Sequence, residues 1–115
     1  MARVQPALRR KLGLETLERT PDGAGGYTES WRQLGSLWAD VKAGSGREVG
    51  GNDLELSSVT FRVTVRASPV GAESRPLPEQ RFREGDRIYH ILSVAEAEPL
   101  GRYLVCTTRE ERVSA

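Results

Sequence analysis

Apolar and polar positions alternate most strictly between residues 59 and 66, where Val59, Phe61, Val63 and Val65 share one face of an extended chain and Thr60, Arg62, Thr64 and Arg66 share the other. A period of two predicts a strand over residues 57–67 with its first set of side chains in a core. A second extended stretch covers residues 27–42, is interrupted at Gly35, and contains the run Ser36-Leu37-Trp38-Ala39-Asp40-Val41. Leu12, Leu14 and Leu17 mark an earlier strand whose parity breaks between Leu14 and Leu17, as a β-bulge near Glu15-Thr16 would require. The intervening Thr20-Pro21-Asp22-Gly23-Ala24-Gly25-Gly26 has turn chemistry. Farther on, residues 80–83 and 87–94 flank Glu84-Gly85-Asp86 as a hairpin, with Gly85 supplying the positive φ of a tight turn. Residues 103–108 form a last strand after a turn around Pro99-Leu100-Gly101, while residues 68–79, with three prolines and no period, read as a loop. Five to six mostly antiparallel strands in sequence predict an all-β small barrel or sandwich, an arrangement that suppresses exposed strand edges. The expected organisation is a flexible arm over residues 1–11, one domain over 12–110 and a short tail over 111–115.

Between the second and third strands lies a stretch unable to make a core of its own: Gly44, Ser45, Gly46, Arg47, Glu48, Val49, Gly50, Gly51 and Asn52. Four glycines and almost no apolar side chains give little burial to offset the entropy of ordering the backbone, so residues 43–56 are expected to form a long projecting loop that is kept for use. Trp31 and Trp38 are expected to be core or interface anchors, with Trp38 placed in the core because its neighbours are Leu37, Ala39 and Val41.

Composition narrows the function classes. The 115 residues carry a formal net charge of +1 with 29% charged residues, so the simple electrostatic signature of a nucleic-acid-coating protein is missing. Arginine supplies 15 of the 17 basic residues, and its planar fork grips carboxylates and phosphates with two hydrogen bonds. A lone cysteine, Cys106, cannot form an intrachain disulfide and fits a small buried hydrophobe. No apolar run approaches the length of a membrane span or signal peptide, so a soluble protein made in the cytoplasm, without a membrane partner, is expected.

Chemistry is limited by the same inventory. His90 is the only histidine, sits in a predicted strand and has no metal-ligand spacing around it, so a structural role is expected, with no metal and no cofactor. No serine lies in a nucleophile-elbow sequence, and the pairs Gly25-Gly26 and Gly50-Gly51 fit neither the phosphate-loop nor the dinucleotide pattern. The chain is therefore not expected to be an enzyme.

The pieces Leu17-Glu18-Arg19-Thr20-Pro21, Tyr27-Thr28-Glu29-Ser30-Trp31, Leu37-Trp38-Ala39-Asp40-Val41, Gly46-Arg47-Glu48, Phe61-Arg62-Val63-Thr64-Val65-Arg66 and Phe82-Arg83-Glu84-Gly85-Asp86-Arg87-Ile88-Tyr89-His90-Ile91 occur in an order that resembles the head-tail joining, or head-closure, proteins of tailed bacteriophages. The resemblance spans nearly the whole chain. It implies a virion protein, assembled in the bacterial cytoplasm, that forms a stopper ring of six or twelve copies. Such a ring sits between the adaptor and portal of the head and the terminator and tube of the tail, and retains packaged double-stranded DNA. In that family a loop between the second and third strands closes the channel, which here corresponds to residues 43–56. Arg47 then faces either DNA phosphate or an acidic residue such as Glu48 or Asp53, and Arg62 and Arg66 face ring neighbours or DNA. A tail terminator is the nearest alternative within the same particle. From another class, a small-barrel nucleic-acid-binding module would use Arg62, Arg66, Arg81 and Arg83 as one basic face near Phe61 or Phe82.

Overall fold

The computed structural model describes residues 6–44 and 59–111, and these form six strands with no helix among them. The strands are β1 (Arg10–Pro21), β2 (Tyr27–Ala43), β3 (Val59–Arg66), β4 (Arg81–Glu84), β5 (Arg87–Glu96) and β6 (Tyr103–Glu110). Every neighbouring pair is antiparallel, and the order β1-β2-β3-β6-β5-β4 closes on itself as a barrel. Closure rests on the shortest strand: β4 meets β1 through only Gly13–Arg83, Leu14–Phe82 and Glu15–Arg81. The expected barrel is thus found, and the β-bulge expected within β1 near Glu15-Thr16 lies at that level but on the partner strand β2. The β1–β2 register slips between Leu14 and Glu15, because Leu14 faces Gly35 while Glu15 faces Gln33, leaving Leu34 as the extra residue.

Alternation explains the core. Leu12 and Leu14 of β1, Ala39 of β2, Val63 and Val65 of β3, Phe82 of β4, Tyr89 and Ile91 of β5, and Leu104 and Cys106 of β6 are buried together inside the barrel. Thr108 joins them as a buried hydroxyl, and its Oγ1 donates to the Phe61 carbonyl at 3.0 Å. Gly85 takes φ 61° in the two-residue turn between β4 and β5, as its position in the hairpin predicts.

Three expectations need correction. Arg10 and Lys11, read as part of a free arm, begin β1, where Arg10 pairs with Glu84 across the barrel mouth. Trp38 is not in the core: it is 55% exposed, because β2 places Leu37, Ala39 and Val41 toward the interior and Trp38 toward the outside. At the start of β3, Val59 is exposed and Phe61 only half-buried, since this end of the strand runs out to the barrel rim.

β1 and β2 also reach beyond the barrel. β2 contacts β3 only over Ala39–Ala43, so among the described residues 16–21 and 27–32 pair only with each other. Six residue pairs at about 3.3 Å per residue make a two-stranded ribbon about 20 Å long. Arg19 and Glu29, directly opposite one another, pair at 3.1 Å, and Arg32 pairs diagonally with Glu18. At the tip, Asp22 Oδ1 accepts from the N–H groups of Ala24 and Gly26 at 2.8 and 3.0 Å, which holds its carboxyl below the usual carboxylate range.

Candidate functional site

Of the residues expected to form a gate, Gly44 alone is described; Ser45, Gly46, Arg47, Glu48, Val49, Gly50, Gly51 and Asn52 lie outside the described residues. Gly44 continues the β2–β3 pairing, donating its N–H to the Thr60 carbonyl at 2.7 Å. A Cβ at this position would stand 3.2 Å from both Thr60 Cγ2 and that carbonyl oxygen, so any larger residue would have to push β3 back by a few tenths of an ångström. The barrel end from which the 45–58 segment departs is plugged. Phe61 meets Tyr89 edge-on with ring centroids 5.4 Å apart, and the Arg87 guanidinium lies 5.5 Å from one ring and 5.2 Å from the other.

Ion pairs fasten that plug. Arg87 binds Glu110 with two hydrogen bonds of 2.8 and 3.2 Å, while Arg10 grips both oxygens of Glu84 and donates to the Tyr89 hydroxyl at 3.1 Å. The hydrogen bond from Arg10 holds the Glu84 carboxyl below its ordinary range and raises the Arg10 guanidinium in turn, whereas burial pushes the Tyr89 phenol up. Two arginines thus meet two glutamates at this mouth, so the cations there are already answered by the protein's own carboxylates.

The outer wall is basic and aromatic on one side. Arg62 stands opposite Lys42 on β2 and Thr107 on β6; Arg66 stands opposite Tyr103, its guanidinium 5.6 Å from the ring centroid. Lys11 and Trp38 face each other on β1 and β2 of the same wall. Arg81 and Arg83 are elsewhere. They sit on β4, which lies across the closed barrel from β3, and both turn to Glu15, at 2.6 and 3.4 Å. The structure therefore does not bring Arg62, Arg66, Arg81 and Arg83 onto one face, and the single basic face expected of a nucleic-acid-binding module is absent.

The chain's pattern points to Arg81 only as part of a basic face and to Glu15 only as a bulge position, yet both are buried, pair with each other and organise the ribbon. The Arg81 guanidinium stacks 4.0 Å from the Trp31 ring centroid, and Trp31 meets the edge of His90 at 6.1 Å. His90 Nε2 in turn lies 2.7 Å from Glu111 Oε1. Trp31, near the root of the ribbon, is thereby held against β4 and β5. Only the bulge parity hinted at this cluster, because Glu15 and Arg81 are 66 residues apart in sequence. Cys106 is buried in β6, where desolvation pushes its thiol up to about 12. Among the described residues, no group of three His, Cys, Asp or Glu side chains could hold a metal ion.

No curated protein matches this chain significantly. A protein of Shigella flexneri 2a, known from a solution structure, shares the fold with a TM-score of 0.66 at 24% identity, covering 90% of this chain and 92% of that one. A chain in the virion of a native gene transfer agent particle is 54% identical and superposes with a TM-score of 0.79, covering 96% of this chain and 100% of that one. The model of the phage head completion protein family matches residues 5–111, taking in both the ribbon and all six strands. On this near-complete match, the chain belongs to the phage head completion protein family.

Proposed function

We propose that this protein is a structural component of the head-tail connector in a tailed phage or a gene-transfer particle. In this reading a ring of six or twelve copies forms below the portal and adaptor, retains packaged double-stranded DNA and receives the tail. The observation that carries the reading is the 54% identity, over the full length of that chain, to a component of a gene transfer agent virion. The architecture suits it. β2 is a single 17-residue strand that begins at the ribbon tip and ends at the root of the 45–58 segment, so the two features leave the barrel at opposite ends. A connector ring has two neighbours along its axis, and the β1–β2 ribbon reaches out from one end of the barrel while Gly44 and Val59 mark the other.

Gly44 through Asn52, with Arg47 among them, are proposed as the gate. Identical segments around a ring can close a pore by mutual contact and reopen without disturbing the barrels, because local rearrangement costs far less than unfolding a core. The role is structural and needs no cofactor.

Electron microscopy and DNA quantification of particles from a strain lacking the gene test the proposal. Empty, tail-less heads beside complete free tails are expected. Normally joined particles would overturn the connector role, and filled heads beside malformed tails would favour a tail terminator.

A further inference from the structure

One side of the barrel carries arginines that no carboxylate among the described residues answers. Arg62 and Arg66 alternate with the buried Val63 and Val65 on β3 and so point outward, as Arg109 does beside the buried Thr108 on β6. All three are exposed, and none of them takes part in an ion pair among the described residues. Arginines elsewhere on the barrel are matched by glutamates, as Arg10 is by Glu84, Arg81 by Glu15 and Arg87 by Glu110. Lys42 adds a fourth cation, opposite Arg62. Two carboxylates adjoin this wall and both are engaged. The Asp40 side chain is only 14% exposed, accepts the Ala7 N–H at 3.1 Å and lies 3.8 Å from Lys42, while Glu111 turns to His90 at 2.7 Å. Between the cations stand Thr60, Thr64, Val105 and Thr107, with Trp38 and Tyr103 only at the Arg66 edge.

Spacing and side-chain type select the partner. Arg62 and Arg66 lie on one strand about 13 Å apart by the rise of an extended chain, and Arg109, opposite Thr60, carries the row farther on the neighbouring strand. That span is close to the width of the DNA major groove, about 12 Å, so the two ends of the wall reach phosphates on both of its rims. Arginine, lysine and threonine side chains are phosphate ligands, whereas the buried centre of a protein–protein interface is depleted of charge. We infer that the outer wall of β2, β3 and β6 lies against the phosphate backbone of double-stranded DNA, with Arg62, Arg66 and Arg109 making contacts that read no sequence. This face differs from the four-arginine face of a nucleic-acid-binding module, because Arg81 and Arg83 turn to Glu15 on the far side of the barrel. The inference rests on the connector reading and adds to it the wall of each barrel that meets the packaged DNA.

The test uses purified particles in which the photoreactive residue p-benzoylphenylalanine replaces Thr64, at the centre of the wall. Chains that enter particles have folded, and irradiation is expected to attach them covalently to DNA. The same residue in place of Arg83, on β4 across the barrel from β3, is expected to attach none. In a second measurement the purified chain is titrated with a short DNA duplex through a salt series. Each phosphate contact contributes about −0.9 to the slope of log K against log salt, so Arg62→Gln with Arg109→Gln makes that slope shallower by about 1.8, while Arg83→Gln leaves it unchanged. Attachment from position 64 to protein alone, equal attachment to DNA from both positions, or a slope unmoved by the double variant would each overturn the wall assignment while leaving the connector role standing. Absence of the chain from purified particles would overturn both.

Discussion

Replacing Arg81 by alanine should destabilise the barrel far more than any exposed arginine would, because the change strands a buried carboxylate. Glu15 and Arg81 meet at 2.6 Å with side chains only 11% and 10% exposed. Two unit charges about 3.5 Å apart at an effective dielectric of about 20 attract by about 5 kcal/mol, close to the several kcal/mol each ion loses on leaving water. Intact, the pair contributes little net; with one partner removed, the expected cost is about 3–5 kcal/mol. Arg83, at 3.4 Å from the other Glu15 oxygen, offsets part of that cost, while the lost stacking on Trp31 adds about 1 kcal/mol. Against a total stability of about 5–15 kcal/mol, and with a urea m-value of about 2 kcal/mol per molar, the unfolding midpoint should fall by about 2 M. Trp31 fluorescence and circular dichroism, followed through one urea titration, read the change. The double change Glu15→Leu with Arg81→Met, which removes both charges and keeps volume, should recover most of the loss. A drop below about 1 kcal/mol for Arg81→Ala, or a double variant as unstable as the sum of its parts, would refute the reasoning.

Other perturbations probe different parts of the structure. Phe82→Ala empties a fully buried site at the closing strand and should cost about 3–5 kcal/mol, measured by thermal denaturation; a loss under 1.5 kcal/mol would mean that the seam collapses around the void. Because Arg10 holds the folded Glu84 carboxyl below its ordinary 4.5, the pair's contribution is complete above that pH and is lost as the pH falls through the lower folded value. Glu84→Gln should flatten the acid limb of a stability-versus-pH curve, and an unchanged limb would show that other carboxylates set it. The Cys106 thiol, pushed up to about 12 by burial, should resist a disulfide reagent at about pH 8 in the native protein and react at once in urea. Rapid native labelling would show that β6 opens readily.

Much of the fold could be read directly from side-chain period. The period of residues 59–66 and the Gly85 turn reflect short-range geometry and appear where the pattern puts them, although Val59 and Phe61 at the rim are not core and the bulge beside Leu14 takes its extra residue from β2. The same logic, applied to β2, would have placed Trp38 outside, since Leu37, Ala39 and Val41 share a parity that Trp38 does not. On a strand, parity and not local apolar company decides which way a side chain faces. The Glu15–Arg81–Trp31 cluster was hidden for a different reason: its members come from three strands, and charged side chains declare burial only once their partners are known. The separation of Arg62 and Arg66 from Arg81 and Arg83 likewise follows from strand order, which composition does not encode.

The narrow β1–β4 seam bears on how quickly a newly made chain becomes usable. Its three ladder pairs join residues 66 to 70 positions apart, while β1–β2 and β4–β5 are local hairpins. Long-range pairing of this kind places all-β domains in the slow range, about milliseconds to seconds. Until that seam zips, β1 and β4 present bare edges able to join another chain. Folding and assembly thus compete for the same hydrogen bonds, and orderly assembly depends on the seam being the faster to win them.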